Sequence, residues 1–241
     1  MPTAKSGCQA SPYPVARDPV AVQRYAIMDQ SGRHDSVRRS YDAVAEQYAA
    51  GFRDELAHKP LDRAMLACLI EEATPGAPIA DVGCGPGHIS AWLVSRGVAA
   101  VGIDLSAAMA AVGRREYPEV EFRVGDFLQL PAADGEFGAV VALYSIIHLE
   151  PGELPRALEE IRRVLRPAGL VLVSFHVGTE VRHLAEWWGT DVDVDFRFLE
   201  MADVVDAMQP AGFSVEAQLE RTSYPGEVDT RRGYLLARRQ G

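Results

Sequence analysis

Lysine is almost missing from these 241 residues: Lys5 and Lys59 are the only two. Arginine carries nearly all the positive charge, and acid outweighs it, for a formal net charge of -10. Such a surface repels phosphate backbones, so no nucleic-acid partner is expected. Cysteine is equally sparse, with Cys8, Cys68 and Cys84. An odd count without paired spacing argues against a disulfide framework or a zinc site, and it suits a reducing, cytoplasmic setting. Long apolar runs are absent too. The stretches 138–143 and 169–175 are far too short to span a bilayer, so no membrane association is expected. The N-terminus lacks a basic start followed by an apolar segment, and Pro2, Pro12, Pro14 and Pro19 interrupt it. No secretory signal is expected there.

What is present is an ample supply of core material: 48% of the residues are apolar. The first stretch, 1–33, is rich in Pro, Ser, Gly and Ala and is read as a flexible arm with a short helix near 20–29. Residues 34–241 are read as one domain. Its N-terminal helices are placed in 34–75. Val37, Tyr41, Val44, Ala45 and Tyr48 recur at helical spacing from Ser36, and Leu61, Met65, Leu66, Leu69 and Ile70 share a face of a helix over 60–73.

Strands and helices then alternate. Strands are expected at 79–82, 98–103, 120–124, 139–143 and 170–175, with helices near 87–95, 106–115 and 152–165. Short apolar strands separated by amphipathic helices imply a parallel sheet covered on both faces. The end of the chain breaks the pattern. A helix near 200–209 precedes two strands, 213–221 and 232–238, around Pro225-Gly226, which reads as a hairpin. The expected fold is therefore α/β: a doubly wound, seven-stranded sheet, mostly parallel, with an antiparallel C-terminal hairpin. N-terminal helices and a small substrate-covering insert at 177–199 complete it.

The chemistry concentrates where the first strand ends, in Asp81-Val82-Gly83-Cys84-Gly85-Pro86-Gly87. Glycines at a strand-to-helix turn permit positive φ and close approach of backbone to a ligand. The next helix points its N-terminal amides into the same crevice. A dinucleotide fingerprint wants its third glycine where His88 stands. The string resembles instead the first motif of class I S-adenosylmethionine-dependent methyltransferases of the small-molecule type. Further matches are Gly102-Ile103-Asp104 after strand two, Gly125-Asp126-Phe127 with Leu130-Pro131 after strand three, Leu143-Tyr144-Ser145 at strand four, and Arg163 to Gly169 before strand five. Together they cover about residues 36–175.

The resemblance implies S-adenosyl-L-methionine as cofactor. It implies that Gly83, Cys84 and Gly85 form the bend against it and that Asp104 takes both ribose hydroxyls. Asp126 would take the adenine amine and Phe127 would offer its N–H to the ring. Leu105 and Met109 would pack on the adenine, and Leu143 would lie beneath the methionine part. Tyr41 and Tyr48, in Tyr-Asp-x-x-Ala-x-x-Tyr, would sit over the cofactor, one hydroxyl reaching the methionine carboxylate; helix packing accounts for the same spacing.

His148, just after strand four, is the candidate general base. Tyr144, His176, Trp187, Trp188 and Phe196 are the candidates for an apolar, stacking acceptor pocket. Asp191, Asp193 and Asp195 alternate as a solvated strand face would, and no metal is expected. The implied activity is methyl transfer by in-line displacement to a small acceptor, a secondary metabolite of the antibiotic-biosynthesis kind, by a monomer or homodimer. Two other readings stay open: a cofactor-binding protein with a non-transfer activity, and a nucleotide-dependent oxidoreductase.

Overall fold

A computed structural model describes residues 30–150 and 152–241. The described residues open on α1 (Gln30–Phe52), a 3₁₀ turn (Glu55–His58) and α2 (Pro60–Glu72). Proline at the first position of α2 has no amide to leave unpaired. Then follow β1 (Ile79–Val82), α3 (His88–Ser95), β2 (Ala100–Asp104), α4 (Ala107–Glu116), β3 (Glu121–Val124) and β4 (Phe137–Leu143). A 3₁₀ turn (Ile146–His148) leads to α5 (Leu154–Val164), β5 (Leu165–Val177), β6 (Val181–Trp187), β7 (Thr190–Arg197), α6 (Met201–Met208), β8 (Phe213–Arg221) and β9 (Arg231–Arg239).

Seven strands form one sheet in the order β3-β2-β1-β4-β5-β9-β8. The pairs among β1 to β5 are parallel; β5/β9 and β8/β9 are antiparallel. The doubly wound sheet with its closing hairpin is therefore as the sequence implies. Its central strands are buried on both faces: every residue of β1 and β4 is covered. One face packs α5 and α6 through Leu158, Ile161, Val204 and Met208. The other packs α2 and α3 through Leu66, Leu69 and Leu93. Winding reverses between β1 and β4, which opens a crevice at their carboxyl ends.

Two local expectations need correction. Among the described residues the first helix already runs from Gln30, so Ser36 lies inside it. Its hydroxyl instead donates to Asp193 Oδ2 at 2.6 Å, while Asp193 N donates to Ser40 Oγ at 2.9 Å. Tertiary contacts thus extend the first turns beyond what local propensity suggests. The short helix near 20–29 and most of the arm lie outside the described residues. Strand five starts early, at Leu165, because the Pro167-Ala168-Gly169 turn is absorbed as an irregularity, with Ala168 at φ 61°. The insert is a separate two-stranded antiparallel sheet of β6 and β7, in which Val192 and Val194 are buried between exposed Asp191 and Asp193. Among the described residues no helix is long and apolar enough to cross a membrane.

Candidate functional site

One cavity occupies the crevice, floored by the ends of β1, β2 and β4 and roofed by α1 and the β6/β7 sheet. The bend after β1 is tight for a specific reason. Gly83 sits at φ 73°, and a Cβ there would lie 2.2 Å from Ser145 Cβ. Gly85 sits at φ 55°, a backbone conformation that favours glycine, and a Cβ there would make only ordinary contact with the Tyr48 ring at 3.6 Å. Asp81, the acid that opens the motif, does not line the cavity. It is buried, accepts from Ser90 Oγ at 2.6 Å, and burial raises its pKa to about 6.

Asp104 ends β2 and faces the cavity. Its Oδ2 accepts from Gly85 N at 2.7 Å and its Oδ1 from Ser106 N at 2.8 Å. Burial raises its pKa to about 6, against those two amide bonds. Each oxygen keeps a second lone pair for a hydroxyl donor. Helix α4 is capped by Ser106, whose hydroxyl accepts from Met109 N at 3.1 Å, so Asp104 is not needed as a cap. Asp126 lies beside it: Oδ1 accepts from Leu128 N and Oδ2 meets His34 Nδ1, both at 2.8 Å. The Asp126 bond, aided by Glu153 and opposed by burial, raises the His34 pKa to about 9. His34 is therefore protonated at neutral pH. Leu105, Phe127 and Leu143 also line the cavity.

Toward the roof the lining becomes aromatic. His148 packs edge-on to Tyr41 and Phe196, and Tyr41 packs edge-on to Trp187. His148 Nδ1 lies 2.9 Å from the Asp195 carbonyl, which accepts only if Nδ1 carries the proton. Nε2 then accepts from the Tyr41 hydroxyl at 2.8 Å. Burial holds the His148 pKa down to about 4 and raises that of Tyr41. Tyr144, at φ 53°, bonds Tyr234 through the two hydroxyls at 3.1 Å. His176 stacks on Phe198 and bonds Thr230 Oγ1 at 2.9 Å; burial and the nearby Arg232 and Lys59 charges hold its pKa down to about 3.

Residues 79–169 match the family described as methyltransferase domain. Over 146 residues the chain is 36% identical to a demethylmenaquinone methyltransferase of Beutenbergia cavernae, covering 61% of this chain and 57% of that protein. The aligned part thus spans little more than half of that relative's length. Over 195 residues it is 27% identical to a malonyl-[acyl-carrier protein] O-methyltransferase of Serratia marcescens, covering 80% and 75% of the two chains. The fold superposes on 1,6-didemethyltoxoflavin-N1-methyltransferase of Burkholderia thailandensis with a TM-score of 0.70 and 17% identity, over 90% of this chain and 93% of that one. Residues 79–169 are thus similar to a methyltransferase domain, and the seven-stranded sheet that holds them has the fold of this methyltransferase structure.

Not every expected residue reaches the cavity. Met109 is fully buried among Ala45, Ala49 and Val112 beneath the tyrosines, so it supports the wall without lining it. Trp188 does not line it either. It stands at the tip of the β6/β7 hairpin at φ 53°, 37% exposed, with its ring stacked on Trp187. A two-residue turn sends neighbouring side chains in different directions, so only Trp187 faces inward. The Tyr41 hydroxyl lies 2.8 Å from His148 Nε2.

Other lining residues were not anticipated: His34, Val37, Arg38, Glu55, Leu56, Lys59, Asp62 and His88. They come from α1, the first 3₁₀ turn and the ends of α2 and α3, which none of the strings at the strand ends marks. The rarity of lysine singled out Lys59, but nothing in the spacing tied it to the crevice.

Proposed function

We propose that this protein transfers a methyl group from S-adenosylmethionine to a small organic acceptor, a secondary metabolite with a planar or aromatic body. The observation that carries the reading is the continuity of one cavity: a glycine bend flanked by the carboxylates of Asp104 and Asp126 runs directly into a chamber of Tyr41, Tyr144, His148, His176, Trp187 and Phe196. The acceptors in the relatives' names, demethylmenaquinone, a malonyl carrier conjugate and didemethyltoxoflavin, agree with an organic acceptor.

The donor set fits the cofactor. Asp104 offers two carboxylate oxygens to vicinal hydroxyls, the Gly83–Gly85 bend brings bare backbone against the ligand, and Asp126 with the Phe127 amide presents an acceptor and a donor to an adenine edge. When bound, S-adenosylmethionine supplies an electrophilic methyl group on a sulfonium leaving group. Trp187, Phe196 and Tyr144 orient the acceptor and exclude water, and positioning of this kind is worth roughly 7–11 kcal/mol in favourable cases. The insert over 177–199 is the cover of the acceptor chamber.

His148 is the group that receives an acceptor proton. Both its nitrogens are engaged, so the proton reaches Nε2 through the Tyr41 hydroxyl: the acceptor's proton moves to the Tyr41 oxygen as that hydroxyl's own proton moves to Nε2. With its pKa held near 4 it is a weak base, which favours acceptors that enter already ionised.

Calorimetry with S-adenosylhomocysteine, followed by incubation with methyl-labelled cofactor and metabolite extracts, tests the reading. Micromolar binding and a labelled small product are expected. Absence of affinity for either form of the cofactor would remove the proposal, and binding without any labelled product would favour a non-transfer activity.

A further inference from the structure

Three side chains from three separate elements meet at the edge of the cavity next to the glycine bend. Glu55 comes from the first 3₁₀ turn, Lys59 from the residue before α2, and His88 from the first position of α3. Lys59 Nζ lies 2.5 Å from Glu55 Oε1 and 3.5 Å from Glu227 Oε1, and 4.8 Å from the centre of the Tyr144 ring. His88 Nε2 lies 3.0 Å from Glu55 Oε2. The side chains of Lys59 and His88 are only 6% and 8% exposed. Among the described residues His88 Nδ1 has no hydrogen-bond partner, although it is buried. A buried nitrogen without a partner is unfavourable, and so is an ion pair withdrawn from water where apolar residues would serve. Neither feature helps the fold; both suit a ligand.

Charge balance says what kind of ligand. Lys59 is already faced by Glu55 and Glu227, so a simple anion or cation entering here would leave a buried charge uncompensated. A group carrying both signs side by side would not. Its carboxylate meets the Lys59 ammonium; its own ammonium meets Glu55 and donates to His88 Nδ1. His88 follows Gly83 by five residues and Gly85 by three, so a ligand lying on the glycine bend brings its end to this corner. The Tyr41 hydroxyl, engaged by His148, is not available for the same task.

We propose that Glu55, Lys59 and His88 form a receptor for a zwitterionic α-amino-acid group, supplied by the amino-acid end of the sulfonium cofactor. The inference rests on the methyltransferase reading above. Glu55 and Lys59 lie outside the matched family segment 79–169 and His88 lies within it, so the chain's own N-terminal elements supply two of the three receptor groups.

Calorimetry on the full chain compares S-adenosylhomocysteine with 5′-methylthioadenosine, which keeps the nucleoside and lacks the amino-acid end. The wild-type chain should bind the first at least about tenfold more tightly, the scale of one or two charge-assisted hydrogen bonds. His88→Leu and Lys59→Met should each weaken S-adenosylhomocysteine by about tenfold or more and leave methylthioadenosine within about twofold. An equal loss for both ligands, no loss for either, or equal affinities in the wild-type chain, as an amino-acid acceptor at this corner would give, overturns the assignment. If neither ligand binds the wild-type chain, it is the cofactor reading that has failed. Should Lys59→Met not fold, the imidazole ¹⁵N resonance of His88 in the wild-type chain decides: it should move on adding S-adenosylhomocysteine and stay in place with methylthioadenosine, and the reverse overturns the proposal.

Discussion

Asp104 gathers several demands on one carboxylate. It holds the glycine bend through Gly85 N, steadies the start of α4 through Ser106 N, and still faces the cavity. Replacing it with Ala removes the proposed ribose acceptor and both backbone anchors. S-adenosylhomocysteine should then bind about tenfold to a hundredfold more weakly by calorimetry. His148 is tested separately, once a labelled product identifies the acceptor. His148→Gln should lower kcat by about a hundredfold or more where the acceptor enters protonated, the range for a positioned acid–base group. For an acceptor that enters ionised kcat should change little. Trp187, 2% exposed and in contact with Tyr41, Tyr48 and Phe196, combines wall and core. Trp187→Ala should cost about 3–5 kcal/mol of stability in denaturant titration.

At the scale of elements, polar side chains join the two parts of the roof and tie the roof to the rim of the sheet. Ser36 and Ser40 on α1 both bond Asp193 of β7. His34 joins α1 to Asp126 and Glu153, and Arg33 and Arg197 converge on Glu150. Asp193→Ala should loosen the insert without disturbing the sheet, seen as faster amide exchange over 181–197 and unchanged protection in β1 and β4. The His34 clasp is sensitive to pH. Its folded pKa of about 9 exceeds the ordinary 6.5 because the Asp126 hydrogen bond holds the proton. Between these values the folded chain binds more protons than the unfolded one, so this contribution is full below about pH 6.5 and fades as pH rises toward 9. The melting temperature should fall across that window, and His34→Gln should flatten the slope.

For the molecule as a whole, the deciding feature is where the sheet changes winding direction. Every strand from β1 to β5 runs the same way, so their carboxyl ends collect the functional side chains on one rim. The interior beneath is continuous and apolar. Leu172, fully buried at the middle of β5, carries none of the site. Leu172→Ala should destabilise the chain by about 2–5 kcal/mol in denaturant titration while leaving cofactor affinity unchanged above the transition.

The residues that recur with a period, or sit in a fixed string at a strand end, were legible before any folding. Helix and strand order follow from apolar spacing, the hairpin from Pro225-Gly226, and the bend from Gly83 and Gly85, because backbone geometry allows few other conformations at those places. Asp104 and Asp126 belong to the same class, since Asp104 closes β2 and Asp126 stands two residues past the end of β3. Tertiary structure alone decided the rest. His34, Glu55, Lys59 and His88 reach the cavity from elements far apart in sequence, and their meeting depends on how α1 and α2 pack across the crevice. The pairing of Tyr41 with His148, the outward turn of Trp188 and the withdrawal of Met109 have the same origin. Local periodicity fixes which face of an element is apolar, whereas which neighbour that face meets depends on the packing of the entire chain.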